Sequence, residues 1–258
     1  MEAFDSNELL KTIDLVETTN DIIMDYLENN TWELMQEKKN KNNGVLKKSI
    51  EENVNKSIII EALNTINNNN FDNSVNNIKN LTFNNIEEFK ELVVLVFNKL
   101  KSTIKGNKIF IARLCYSIKD MYYVDEENNK KTFENLLRGY TKFEYDNIMK
   151  NYEQEQSHRI LSAIVYLYQS SFFDLNIINI IIDDLKKEIE YNEKTFNKEN
   201  VENKIDMSCY LLDEIIIDEK IEFIINNMIE LLKTLPDLYG KSISTKFKIK
   251  IMNTVENR

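Results

Sequence analysis

Along FKELVVLVFNKLK the apolar positions Phe89, Val93, Val96, Phe97 and Leu100 fall three or four apart, the spacing of one helix face. NKIFIARLCYSIKDM repeats the pattern with Phe110, Leu114, Ile118 and Met121, and Lys105-Gly106-Asn107 between the two segments reads as a turn. HRILSAIVYLYQSSF aligns Leu161, Val165, Tyr168 and Phe172, and KIDMSCYLLDEIII aligns Ile205, Cys209, Leu212 and Ile216. KIEFIINNMIELLKTL carries Ile221, Ile225, Met228, Leu232 and Leu235 and is expected to stop at Pro236, the single proline. Two stretches are less decided. DLNIINIIIDDLKKEIE is rich enough in Ile for a strand, but its length and charged tail favour a helix; ISTKFKIKIMNTV alternates, and its context favours a helix.

Ten helical segments are expected to start near residues 56, 71, 86, 107, 131, 156, 175, 200, 218 and 242. Taken in pairs they recur about every 35–45 residues, the period of HEAT-type helical repeats. The expected fold is all-α, a HEAT-like solenoid of about five antiparallel helix pairs over residues 56–258. The charged run YNEKTFNKENVE (191–202) reads as a longer, solvated loop. Residues 1–55 differ. Ser6 would cap a helix carrying Leu9, Leu10, Ile13 and Val16, an apolar cluster follows at Ile22, Ile23, Tyr26 and Leu27, and KKNKNNG makes a linker. This is an N-terminal arm.

One stretch tests the helical reading. In EALNTINNNNFDNSVNNIKNL (61–81), nine residues are Asn, as in a polar spacer, yet Leu63, Ile66, Phe71, Val75, Ile78 and Leu81 keep a near-helical spacing. The chain holds 37 Asn and 29 Lys against 4 Arg and 4 Ala, a bias that fits an A/T-rich coding sequence. Asn-rich text is therefore a weak sign of disorder here.

The formal net charge of −10 argues against binding nucleic acid through the whole surface, so phosphate would need a local basic patch. No apolar run reaches 18 residues and MEAFDSNELL is acidic, so neither a membrane span nor a secretory signal is expected, and the expected location is the cytoplasm. Cys115 and Cys209 sit on apolar helix faces without metal or redox spacing, which predicts buried free thiols. His158, the only His, stands beside Arg159 with no metal-binding or nucleophile–base motif to join. No phosphate loop, G-x-S-x-G or H-E-x-x-H is present, so no cofactor, no metal and no catalysis are expected.

Several segments together resemble the middle domain of eukaryotic translation initiation factor 4G. That family opens with I-L-N-x-L and, after a short gap, a Phe that starts the second helix; Leu63, Asn64, Ile66 and Phe71 match at the same spacing. Its V-x-L-I/V-F-x-K core is matched by Val93, Leu95, Val96, Phe97 and Lys99, and its Y/F-A-x-L-C element by Phe110 to Cys115. A later F-x-x-L-L…F-E element is matched by Phe133, Leu136, Leu137, Phe143 and Glu144. The resemblance spans about residues 56–255, and no single word of it is specific. The family's arginines around the third repeat are thin, with Arg138 and Arg159 the main ones.

The resemblance implies a non-catalytic translation-initiation scaffold that binds and activates a DEAD-box RNA helicase of initiation factor 4A type. Sister branches of the domain leave an alternative, an RNA-processing adaptor in nonsense-mediated decay, nuclear cap binding or splicing. It places helicase binding at Leu63, Ile66 and Phe71, which would serve equally as core of the first hairpin. Asp213, Glu214, Asp218, Glu219 and Glu222 would offer a basic helicase surface an electrostatic landing site, or form a solvated turn. Lys241, Lys246, Lys248 and Lys250 would hold RNA phosphate, or form a solvated face. The family's full-length factors bind a cap-binding protein through Tyr-x4-Leu-hydrophobic; Tyr26 to Trp32 approaches that motif with Thr31 in place of Leu. Trp32, the only Trp, is either a packing anchor or a partner hot spot. The short length and composition suit a minimal protist or large-DNA-virus version.

Overall fold

The apolar stripes fold as helices almost wherever their spacing marks them. The computed structural model describes residues 54–195, 197–217, 219–238 and 243–257. Ten helices lie among them: α1 Val54–Thr65, α2 Phe71–Lys79, α3 Ile86–Ser102, α4 Lys105–Ile118, α5 Phe133–Lys150, α6 Gln154–Gln169, α7 Leu175–Lys194, α8 Lys198–Glu214, α9 Glu222–Leu238 and α10 Thr245–Glu256. Each starts within four residues of its expected position. The chain divides into two units between Glu51 and Glu52. The expected N-terminal helix, Tyr26 and Trp32 lie outside the described residues, as do Asp218 and Lys241.

Short polar side chains set the helix starts. Asn85 accepts the Glu88 N–H, Thr132 the Asn135 N–H, Asp174 the Asn176 N–H and Asn197 the Asn200 N–H; each such cap is worth about 1 kcal/mol. Between them, the helices bury the stripes read from the sequence. Phe89, Val93, Val96, Phe97 and Leu100 of α3 are fully buried, as are Ile221, Met228, Leu232 and Leu235 around α9. Consecutive helices pack in the pairs α1–α2, α3–α4, α5–α6, α7–α8 and α9–α10, and α6 also packs on α7 and α8 on α9. Most helices pack on the helix two places along: α1 on α3, α2 on α4, α3 on α5, α4 on α6, α6 on α8, α7 on α9 and α8 on α10. One continuous apolar core runs from Ile59 to Ile251. Cys115 and Cys209 are buried free thiols, and burial pushes Cys209 up to about 11. Among the described residues, no helix is long and apolar enough to cross a membrane.

Four expectations are corrected. A short antiparallel hairpin, β1 Tyr122–Val124 and β2 Lys130–Thr132, separates α4 from α5. Asn128 takes a left-handed φ of 64° at its tip, and the Asp125 carboxylate accepts the Asn129 N–H at 2.7 Å. The run 191–202 is mostly helix: α7 continues to Lys194 and α8 starts at Lys198. Asn192 makes this tight reversal possible, donating to the Glu188 carbonyl and accepting from the Asn200 amide. Helix α9 passes Pro236 and ends at Leu238, because a proline in the last turn leaves only the final hydrogen bonds to lose. Ile216, in register with the α8 stripe, is exposed, since α8 ends at Glu214 and Ile215 turns to an extended backbone.

Candidate functional site

The first hairpin comes straight from the Asn run. Thr65 ends α1, and the Asn70 amide then donates to the Thr65 carbonyl at 2.8 Å while Asn70 Oδ1 accepts the Asn67 N–H at 2.8 Å. Asn67 Oδ1 accepts the Asn69 N–H in turn. These side chains replace the backbone partners that a tight reversal leaves unpaired. The Asn run is thus turn chemistry inside a packed element. Leu63 and Ile66 are only 4% and 5% exposed and belong to the core. They cannot touch a partner directly, which leaves their role to packing. Phe71 differs: it is half-buried at the start of α2, with the Arg113 guanidinium 4.9 Å from its ring centroid. A groove of about 540 Å³ runs between α1 and α2, lined by Ile58, Glu61, Ala62, Asn73, Asn77 and Leu81 among others.

Residues of the separate family-like words meet in space. Lys99 Nζ of α3 donates to Asn64 Oδ1 of α1 at 2.8 Å. Lys101 Nζ, beside it, pairs at 2.8 Å with Glu144 of α5.

The acidic turn after α8 is mixed. Asp213, Glu219 and Glu222 are exposed. Glu214 is not: its carboxylate is buried, paired with Lys105 of α4, and accepts from Ser162 Oγ of α6 at 3.2 Å. The bond to Glu214 holds the Lys105 ammonium above its ordinary range. Glu214 therefore ties three helices together and offers nothing to a partner.

The basic stretch of α10 divides in the same way. Lys246 is exposed and Lys248 partly so. Lys250, expected to hold RNA phosphate beside Lys246, donates instead to the buried carboxylate of Asp206 on α8. That carboxylate also accepts from Tyr152 Oη at 2.6 Å and faces His158 Nε2 at 2.6 Å. Burial pushes Asp206 up, but the bonds from His158, Lys250 and Tyr152 outweigh it and hold the carboxyl well below the usual range. The His158 ring stacks on Tyr210 with centroids 3.9 Å apart. A cleft of about 320 Å³ beside this network is lined by Asp213, Lys246, Ile249, Lys250, Asn253, Thr254 and Asn257. Acidic and basic residues that read as separate patches thus share one cleft between α8 and α10.

A buried lysine joins the Glu214 cluster through Ser162. Lys108 Nζ donates to Ser162 Oγ at 2.7 Å, and burial lowers its ammonium below the ordinary value. An amine beside a serine hydroxyl is the arrangement of a serine–lysine nucleophile. Both side chains are buried, so no substrate carbonyl reaches the hydroxyl. The pair is structural. Among the described residues, no three His, Cys, Asp or Glu side chains are grouped to hold a metal ion.

Sequence reasoning missed Lys105, Lys108, Ser162 and Asp206. Their partners lie dozens of residues away in the chain, beyond the reach of local spacing. One signal was present. Between Glu91 and Asp120 the chain carries Lys99, Lys101, Lys105, Lys108, Arg113 and Lys119 and no acid, in a protein of net charge −10. Cations without local counterions must look further: Lys101 and Lys105 pair with distant acids, and Lys108 donates to the distant Ser162 hydroxyl. No family model matches the sequence, and no curated protein matches it.

Proposed function

We propose that the five helix pairs form a HEAT-like solenoid of the initiation factor 4G middle-domain type. It acts as a non-catalytic cytoplasmic scaffold that binds and stimulates a DEAD-box RNA helicase. One observation carries the reading: the family-like words fall in order on α1 to α5, and Asn64 of the first bonds to Lys99 of the second. Similarity of short words arises easily by chance in an Ile- and Asn-rich chain. A hydrogen bond between two of the matched residues is a tertiary relation that composition alone does not supply.

The proposed docking elements are Phe71 at one end of the described helices and the exposed acids Asp213, Glu219 and Glu222 toward the other. A scaffold that holds a two-lobed helicase at two separated points turns the encounter of its lobes into a near-intramolecular step. No chemistry of the scaffold's own is required. RNA contact through α10 is proposed at the exposed Lys246, because Lys250 is engaged by Asp206.

The test is the RNA-dependent ATPase of the initiation-type DEAD-box helicase from the same source, measured with and without the purified full chain. The expected outcome is stimulation of about tenfold, equivalent to about 1.4 kcal/mol of barrier, with no turnover by the chain alone. An unchanged helicase rate at saturating chain would overturn the reading. Co-purification with decay or splicing factors would redirect it to those pathways.

A further inference from the structure

The groove of about 540 Å³ between α1 and α2 is walled by Ile58, Glu61 and Ala62 on one side and by Asn73, Asn77 and Asn80 on the other. Ala62 is buried and Ile58 half-buried, whereas Glu61 and the three asparagines are exposed. The side chains of Glu61, Asn73, Asn77 and Asn80 bond to no other described residue. Other asparagines of the hairpin are engaged. Asn67 and Asn70 hold the turn, and Asn64 accepts from Lys99.

A carboxamide carries a donor N–H and an acceptor C=O, the same pair that a peptide group carries. Asn73 and Asn77 stand about one turn apart on α2, a rise of about 6 Å. Alternate residues of an extended chain repeat at about 6.6–6.8 Å, a difference that side-chain rotation absorbs. Each of the two amides can therefore meet a backbone group on the same side of an extended segment. Helix α2 is 9 residues long, about 13.5 Å, which gives room for about four extended residues. Other ligand classes match the wall worse. It holds no aromatic ring to stack a nucleobase and no cation to hold a phosphate. Glu61 is its one charged residue. Lys56 of α1 pairs with Glu91, and the exposed Asp72 and Lys79 of α2 lie off the wall with opposite charges.

We propose that the α1–α2 groove binds the backbone of an extended peptide segment that places a Lys or Arg against Glu61. The amides of Asn73 and Asn77 hold main chain, so they select an extended shape rather than a side-chain sequence. Glu61 selects the charge. Phe71 takes no part in the wall, so the proposal stands apart from the helicase reading, and each can fail without the other.

The probe is a short fluorescent peptide of alternating valine and threonine with a central lysine, titrated into the full chain by anisotropy. One control is N-methylated at its backbone amides, and another carries glutamate in place of lysine. The parent peptide is expected to bind, and both controls to bind roughly tenfold more weakly or worse. Asn73→Ala/Asn77→Ala should weaken the parent peptide by a similar factor. Its melting temperature should be no lower than that of wild type, because both positions are exposed and Ala is the better helix former. Glu61→Gln should remove the preference for lysine over glutamate and leave the N-methyl effect in place. Equal binding of the parent and N-methylated peptides would mean that main chain is not what is held, and would overturn the proposal. So would undiminished binding by the Asn variant or failure of the wild-type chain to bind. A concentration-dependent dimer that the Asn variant abolishes would give the groove to a second copy and overturn it as well.

Discussion

The first hairpin and helix α8 belong to the same compact helical unit but are held in it by different forces. The hairpin α1–α2 buries Ile59, Ala62, Leu63, Ile66, Val75 and Ile78, and its single buried polar residue is Ser74. Its turn is tied at the surface by asparagine amides. Helix α8 buries Lys204, Asp206, Ser208 and Glu214 along with its apolar residues. Position explains the difference. The hairpin is first among the described helices, and its outer residues face solvent, so polar groups there need no protein partner. Helix α8 packs against α6, α7, α9 and α10 and has little free surface. A charge placed on it is tolerated only when fully bonded. Asp206 accordingly meets four partners, Tyr152, Gln154, His158 and Lys250, and Lys204 Nζ donates to the Met149 carbonyl at 2.6 Å.

The comparison predicts that the two regions fail differently, and the largest effect is expected at Asp206. Asp206→Ala strands Lys250, His158 and Tyr152 around a site where a buried charge was compensated. Breaking such a pair from one side costs about 3–5 kcal/mol, and the partial exposure of His158 and Lys250 points to the lower end. Urea unfolding at neutral pH measures it; a cost below about 1 kcal/mol would mean the network is not part of what holds α8. The pH dependence carries the sign. The folded-state pKa of Asp206 is depressed, so its contribution is complete above the unfolded carboxylate value of about 3.9 and is lost as pH falls below it. The stability gap between wild type and Asp206→Ala should narrow as acid is added below that value.

Next in size is Leu63→Ala in the first hairpin, with an expected cost of about 2–4 kcal/mol from lost burial plus the cavity left behind. No titrating group is involved, so its stability curve should run parallel to that of wild type at every pH. A Leu63→Ala gap that closes in acid would show that the hairpin is electrostatically coupled to the rest, and the contrast drawn here would fail.

The same contrast separates what was legible in the sequence from what was not. Helix number, order and starts were readable because stripes such as Phe89–Leu100 record a periodic requirement within a dozen residues. The packing of neighbours followed from the short connections between them. The β1–β2 hairpin was not readable, since three-residue strands are too short for alternation to register. Of the candidate site, Phe71 was expected to open the second helix, and it does, but its partial burial was not told apart from the full burial of Leu63 and Ile66. Glu214 and Lys250 were misjudged for one reason: a charged residue looks solvated unless its partner is known. Those partners, Lys105 and Asp206, lie on other helices. Ile216 was misjudged because register says which face a residue would take, and nothing about where the helix stops.

The smallest stability effect, and the sharpest functional one, is expected at Phe71. It opens α2 half-buried, so Phe71→Ala gives up only part of a ring's burial and the contact with Arg113, together about 1–2 kcal/mol. Leu63, eight residues earlier and almost wholly buried, should cost more. If the hairpin only fills the core, damage to helicase binding must track damage to stability, and Leu63→Ala must be the worse variant in both. If Phe71 is a contact, the order reverses: Phe71→Ala melts closer to wild type yet binds the helicase about tenfold or more weakly. Melting temperature and affinity, measured on both variants under conditions where each is folded, decide between the two. Arg113→Ala adds a control, since it removes the cation over the ring while leaving the ring available to a partner. Normal affinity for folded Phe71→Ala would confine the hairpin to a structural role and move the search to the exposed acids Glu219 and Glu222 of the turn after α8.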